Sequence, residues 1–187
     1  SGLGYDRRAK YLHGAAGTLS RLSHPWTVQD LVVCKGIGAN TAAAVVVYSY
    51  NQPELFIETN VRTVLIHHCF DDRDDVADKE LLPLLSQLID AEHPRDFYWA
   101  LMDYGSHLKR TVGNASRASK HYTKQSAFAG SRRQLRGAVL RQLHNFPMTA
   151  NELGECLTDE RLQGVLDDLC REQLVSQRDG RHFLGLL

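Results

Sequence analysis

Of the four cysteines in this 187-residue chain, at positions 34, 69, 156 and 170, no two form a Cys-x-x-Cys pair. The sequence therefore offers no zinc or iron–sulfur ligand set, and its thiols read as buried or idle groups of a reducing compartment. Nor does any apolar run approach the roughly 20 residues that span a bilayer. There is no secretory signal at the start. The opening Ser1-Gly2-Leu3-Gly4 lacks a methionine and reads as a fragment or a processed product. Net charge is absent as well, with 22 basic against 22 acidic residues. A further absence lies within that balance: from Lys109 to Arg136 there is no acid, while eight bases (Lys109, Arg110, Arg117, Lys120, Lys124, Arg132, Arg133 and Arg136) fall there. The rest of the chain is left with 14 basic and 22 acidic residues, a balance of −8. A basic band on an acidic protein is a footprint for an anionic polymer; the alternative is a solvated, flexible linker.

What is present is ordinary for a folded domain: 43% of residues are hydrophobic and 24% charged, enough to bury a core. Helical spacing of Tyr5, Ala9, Leu12, Ala16, Leu19 and Leu22 predicts an amphipathic helix from Asp6 to Leu22. Thr27 is a candidate N-cap for a short helix through Val33. After the glycine-rich Cys34-Lys35-Gly36-Ile37-Gly38, the small apolar residues from Asn40 to Tyr50 suit a buried helix. Thr59 is a candidate cap for a helix to Phe70, followed by an acidic surface loop from Asp71 to Asp78. Two more helices are expected, Lys79 to Ala91 and Pro94 to Leu108, the second with proline in its first turn. Phe97, Tyr98 and Trp99 are expected in the core. Residues 111–130 are aperiodic and read as a long loop, functional or disordered. Beyond it come a helix from Ser131 to Leu143, a capping box at Thr149-Ala150-Asn151-Glu152 opening a helix to Cys156, and a helix from Thr158 to Gln173. A hairpin follows, turning at Arg178-Asp179-Gly180-Arg181. No strand is expected before residue 170. Three helices and a hairpin are winged-helix-like, which puts a domain boundary near Gly130.

Two motifs carry chemistry. A Gly-x-Gly turn between helices lets backbone come close to a partner, and amides opening the second helix favour a phosphate; plain helix packing is the rival reading. About twenty residues later, Glu58-Thr59-Asn60 opens a helix after apolar Leu55-Phe56-Ile57. A carboxylate there is stabilised as the anion by the helix dipole; an ordinary N-terminal acid is the rival. His67 and His68, beside Cys69, read as structural rather than metal-binding.

Together the motifs resemble a family. Ser-Gly-Leu-Gly-Tyr at the start, Lys35-Gly36-Ile37-Gly38-Ala39-Asn40-Thr41-Ala42, Glu58-Thr59-Asn60-Val61-Arg62 and Ala100-Leu101-Met102-Asp103-Tyr104-Gly105 occur in order at fitting intervals. Over about residues 1–130 the chain resembles the helix-hairpin-helix (HhH-GPD) DNA glycosylases, and within them the MutY-like adenine glycosylases. The tract His121-Tyr122-Thr123-Lys124-Gln125-Ser126 and the tail resemble a clostridial-type branch that lacks the iron–sulfur cluster. The resemblance places the catalytic aspartate on Glu58, one methylene longer, and the neighbouring active-site asparagine on Asn60. The Schiff-base lysine of the lyase branch falls on Asn40, so cleavage through an imine is not available and a monofunctional enzyme is implied. Lys109 stands about where the first cluster cysteine would be. The general acid falls on a segment ahead of Ser1, so this chain alone is expected to be weakly active or inactive.

The expectation is thus a mainly α protein: a partial helix-hairpin-helix glycosylase core over residues 1–130, with a basic backbone-contacting loop at 109–130, then a small winged-helix-like domain over 131–187. It would hydrolyse the N-glycosidic bond of a flipped, mispaired base, adenine by resemblance. Glu58 and Asn60 would be catalytic. Lys35, Gly36, Ile37, Gly38, Asn40, Thr41, Lys109, Arg110, Arg117, Lys120, Lys124, Arg132 and Arg133 would bind DNA, and Tyr5 would line the base pocket or pack in the core. No cofactor is implied; a monovalent cation at the hairpin stays open. The partner would be double-stranded DNA with a mismatched or damaged base, bound by a monomer in a bacterial cytoplasm, nucleoid-associated, without a membrane. Nothing in the tail resembles the domain with which MutY proteins read an oxidised guanine, so thymine opposite guanine and alkylated purines stay open as substrates. Between Asp159 and Glu172 five acids face two arginines. That helix would be repelled by phosphate and is expected to make packing or protein contacts. The rivals are a helix-hairpin-helix and winged-helix module that binds DNA without catalysis, and a transcription factor built on the winged helix.

Overall fold

A computed structural model describes residues 6–70, 73–124 and 127–185, and the protein it shows is mainly helical. Residues 11–123 form one compact unit, and the described residues from 124 onward, with the first turn of the first helix, form another.

The first unit is built on the part of α1 (Asp6–Leu19) from Tyr11 onward, α2 (Val28–Val32), α3 (Ala39–Tyr50), α4 (Thr59–Cys69), α5 (Asp78–Leu88) and α6 (Pro94–Thr111). Thr27 caps α2 as expected, its hydroxyl accepting from the Asp30 amide while the Asp30 carboxylate accepts from the Thr27 amide at 2.8 Å. The apolar composition of α3 has a direct cause, because the helix is covered on two sides. Ala42 and Val46 pack with Ala15, Leu19, Leu31 and Cys34. Ala43, Ala44 and Val47 pack with Phe56, Val61, Leu65, Leu81, Leu85 and Tyr98. A helix covered on two sides carries its apolar residues round most of its circumference.

Several expectations are corrected. The residue capping α4 is Glu58, not Thr59, since helical backbone begins at Thr59. Of the aromatic triplet, Tyr98 is fully buried while Trp99 is 53% exposed, because successive helical residues point about 100° apart. The stretch after α4 is not all surface: Val76 and Ala77 are buried. Nor is the segment after α6 simply a loop. Ala115–Ala118 form a 3₁₀ turn capped by the Asn114 side chain, Ser116 and Ser119 are buried, and backbone hydrogen bonds join Val76 to both Ala118 and Lys120.

The second unit contains α7 (Arg132–Asn145), β1 (Met148–Thr149), α8 (Ala150–Cys156), α9 (Leu162–Arg171), β2 (Val175–Arg178) and β3 (Arg181–Leu184). Its antiparallel sheet has the order β1-β3-β2, with Val175 opposite Leu184 and Met148 opposite His182. Asp179 and Gly180 both adopt positive φ, the requirement of a tight two-residue hairpin turn. Leu135, Val139, Leu143, Leu153, Val165, Leu166, Leu169 and Val175 form its core. β1 is a strand ahead of residue 170, against expectation; two residues carry no alternation for a sequence to reveal. The Thr149–Glu152 capping box is present.

Candidate active site

Between α2 and α3 the chain turns back on itself over residues 33–38, the Ile37 amide donating to the Cys34 carbonyl at 3.0 Å. Gly36 is required there twice. Its φ is +90°, and a Cβ would sit 2.4 Å from the Tyr11 ring. Gly38 is different: its φ of −88° suits any residue, and a Cβ would meet nothing within 4 Å. The bareness of Gly38 therefore serves no contact among the described residues, and it leaves the start of α3 open. Gly38 also caps α3 without a side chain, so the amides of Ala39, Asn40 and Thr41 lack an intrahelical acceptor. All three residues are exposed, as is Lys35.

The head of α4 adjoins this turn. Asn40 donates from Nδ2 to the Ile57 carbonyl at 3.1 Å, one residue before Glu58. Irregular backbone from Glu54 to Ile57 leads into that position and is stapled from α6: the Phe56 amide donates to the Tyr98 hydroxyl at 3.2 Å, and that hydroxyl donates to the Glu54 carbonyl at 3.0 Å. The Tyr98 hydroxyl is pushed up to about 12, chiefly by burial, so it stays a neutral donor and acceptor. Tyr98→Phe would orphan the buried Phe56 amide. We expect it to lower stability by about 1–3 kcal/mol, read as a reduced urea midpoint; an unchanged midpoint would contradict the staple.

Glu58 is exposed at the N-cap of α4 and uses no carboxylate oxygen to cap the helix. Among the described residues no ion pair or hydrogen bond occupies that carboxylate. Its charge reaches Tyr48, whose hydroxyl is pushed up first by burial and then by Glu58. The anion thus stands at the positive end of a helix, on the solvent side, beside the first turn of α3.

Asn60, two residues on, is gripped by α6. Its Nδ2 donates to the Met102 carbonyl at 3.0 Å, and its Oδ1 accepts from Lys109 Nζ at 2.5 Å. Gly105 lies between them. A Cβ on Gly105 would fall 2.5 Å from the Asn60 carbonyl oxygen and 2.8 Å from its Cβ. In the same stretch of α4, Arg62 makes a two-pronged ion pair with Asp78, both bonds 2.8 Å. Gly105 and Arg62 belong to the motifs legible in the sequence, but their roles are visible only in the structure. A glycine in mid-helix, disfavoured there by about 1 kcal/mol, was the available signal of a close approach.

The basic band divides. Lys109 is held by Asn60, and Lys120 by Asp75 at 3.1 Å. In the second unit Arg132 reaches Asp168 and the Gly164 carbonyl, Arg136 reaches Glu172 at 2.7 Å, and the Arg133 guanidinium lies 6.0 Å from the Phe128 ring centre. Asp168 on α9 and Glu172 at its C-cap are thus partners of two arginines on α7, while Asp159 pairs with Arg161 within its own run. Arg110, Arg117 and Lys124 are exposed. Tyr5 and the opening motif lie outside the described residues, as do Gln125 and Ser126.

Among the described residues no three His, Cys, Asp or Glu side chains converge as a metal site. The cysteines do not fit an iron–sulfur cluster: Cys34 is buried between α2 and α3, Cys69 ends α4, and Cys156 and Cys170 belong to the other unit. No helix among the described residues is long and apolar enough to cross a membrane.

No family model matches the chain, and no solved structure matches it. Curated relatives do. The chain is 31% identical over 213 aligned residues to an adenine DNA glycosylase of Mycobacterium tuberculosis, covering 97% of this chain and 69% of the relative. It is 31% identical to that of Mycolicibacterium smegmatis, covering 98% and 71%. It is 34% identical to that of Arabidopsis thaliana over 58% of this chain and 18% of the relative.

Proposed function

Since the chain belongs to the MutY-like adenine DNA glycosylases, DNA N-glycosylases of base excision repair, we propose that it hydrolyses the bond between deoxyribose and a mispaired adenine without cutting the strand. The observation that carries this reading is the exposed Glu58 carboxylate at the head of α4, whose preceding residue Ile57 is held by Asn40 in the first turn of α3.

The flipped nucleotide brings its sugar to Glu58. As the C1′–N bond breaks, its electron pair leaves with the base, which takes up a proton from the solvent. The sugar becomes cationic, and the nearby carboxylate stabilises it electrostatically. Water then bonds to C1′ and gives its proton to Glu58. Asn40 stands where an imine-forming lysine would be needed, and its carboxamide is no nucleophile; hydrolysis is the outcome. Asn60 holds the head of α4 against α6.

The open amides of Ala39, Asn40 and Thr41, with Lys35 and the bare Gly38, receive a phosphate of the duplex. Arg110, Arg117 and Lys124 add backbone contacts of the sequence-independent kind. The reading needs no iron–sulfur cluster, and a monovalent cation at the hairpin is the one ion it admits. Residues 131–187 are read as a winged helix. Because Arg132 and Arg136 are engaged by α9, that domain serves packing or protein contact rather than groove insertion. The protein acts as a monomer on double-stranded DNA.

The substrate is tested with duplexes carrying adenine opposite oxidised guanine, adenine opposite guanine, thymine opposite guanine, or an alkylated purine. Slow release of free adenine from the first two, with an intact backbone, is expected. Release of another base alone would overturn the assignment of adenine, and strand cleavage would overturn the monofunctional reading.

A further inference from the structure

We infer that Lys109 is a positioning residue of the glycosylase reaction, holding the Asn60 carboxamide in one orientation at the head of α4, two residues from Glu58. The inference rests on the reading of Glu58 and Asn60 given above.

Met102, Gly105 and Lys109 fall at i, i+3 and i+7, one face of α6, and all three meet the same residue. Gly105 brings the two helices together at the Asn60 backbone. Met102 and Lys109 then take opposite ends of its side chain, the carbonyl accepting from Nδ2 and the ammonium donating to Oδ1. These partners differ in polarity. An ammonium only donates and a backbone carbonyl only accepts. Turning the amide over would set its NH₂ against the ammonium and its oxygen against the carbonyl, so a single orientation is selected. The Lys109 bond is charge-assisted and correspondingly strong. Lys109 is half-buried, and burial pushes its pKa down, as it does for an ammonium withdrawn from solvent toward an internal partner. Arg110, one residue on, points into solvent; the two adjacent bases have different surroundings. By family resemblance position 109 is where a cluster cysteine would stand. Here it carries a donor aimed at the active-site asparagine.

The experiment is a double-mutant cycle in the full chain on a duplex with adenine opposite oxidised guanine. Single-turnover base release is measured at saturating enzyme, together with the dissociation constant and its salt dependence on a duplex carrying an uncleavable adenosine analogue. Lys109→Met is expected to slow base release about 10- to 100-fold, the scale of a misplaced reacting geometry, with affinity and salt slope unchanged. Lys109→Arg, which keeps a cationic donor, should recover most of the rate. Because Lys109 acts through Asn60, Lys109→Met adds little to Asn60→Ala; independent roles would multiply. Should Lys109→Met lose its folded transition, Lys109→Gln replaces it in the cycle with the same expected non-additivity. A wild-type rate with the salt slope reduced by about one would make Lys109 a phosphate contact and overturn the inference, as would multiplicative losses in the cycle. Glu58→Gln is run in parallel. If it leaves base release intact, the catalytic reading fails; if it abolishes release while Lys109→Met does not slow it, the Lys109 inference alone fails.

Discussion

Replacing Glu58 with glutamine is expected to reduce single-turnover base release by on the order of 10³-fold, about 4 kcal/mol in the barrier. The substitution keeps size and removes charge. The group it disarms faces a sugar that turns cationic only in the transition state, so the loss falls on the chemical step rather than on substrate binding. Stability should hardly change, because Glu58 is exposed and its side chain does not cap α4. What is lost in the fold is the attraction between an anion and the helix dipole, typically 0.3–1 kcal/mol at an exposed site. DNA affinity should hold or rise, since a negative charge near phosphate is removed. Glu58→Asp retains the anion with a shorter reach and should keep more activity than the glutamine variant. Base release by Glu58→Gln at the wild-type rate would show that the carboxylate takes no part in the chemistry and would remove Glu58 from the mechanism.

Some of this site is readable in the sequence because local chemistry specifies it. The Thr27 cap and the Thr149–Glu152 box announce their helices through local side-chain chemistry, and both are found. The glycine turn before α3 and the acid before α4 are visible for the same reason. What was not legible depends on long-range backbone partners. Val76 reaches Ala118 and Lys120 through main-chain groups, which no side-chain pattern records, so residues 112–123 read as loop although part of the segment is docked. The basic band misled in a related way. Charge counts give sign, but the partners of Lys109, Lys120, Arg132 and Arg136 are set by tertiary placement. In the second half of the band Arg132 and Arg136 are matched to Asp168 and Glu172, members of the acidic run read as a repulsive face.

Gly105→Ala is the second substitution with a large expected effect, on stability and activity together. The atoms a new Cβ would meet are the carbonyl oxygen, carbonyl carbon and Cβ of Asn60, at 2.5, 2.9 and 2.8 Å. None is the end of a flexible side chain, so α4 and α6 must move apart. Overpacking of this kind costs typically 1–3 kcal/mol, which should lower the thermal midpoint by on the order of 5 °C. The same displacement pulls Asn60 from Met102 and Lys109 and shifts the head of α4 that carries Glu58. A misplacement near 1 Å costs about 10²-fold in rate, and a loss of that size is expected below the melting range, where the variant is still folded. Gly137→Ala supplies the contrast. It lies within α7, and its nearest neighbour would be the tip of Arg141 at 3.7 Å. Alanine there should stabilise by up to about 1 kcal/mol through helix propensity. Two glycine-to-alanine changes in helices thus have opposite predicted signs, and helix propensity alone would make both stabilising. A Gly105→Ala protein as stable and active as the wild type would show that α6 does not hold Asn60 in place.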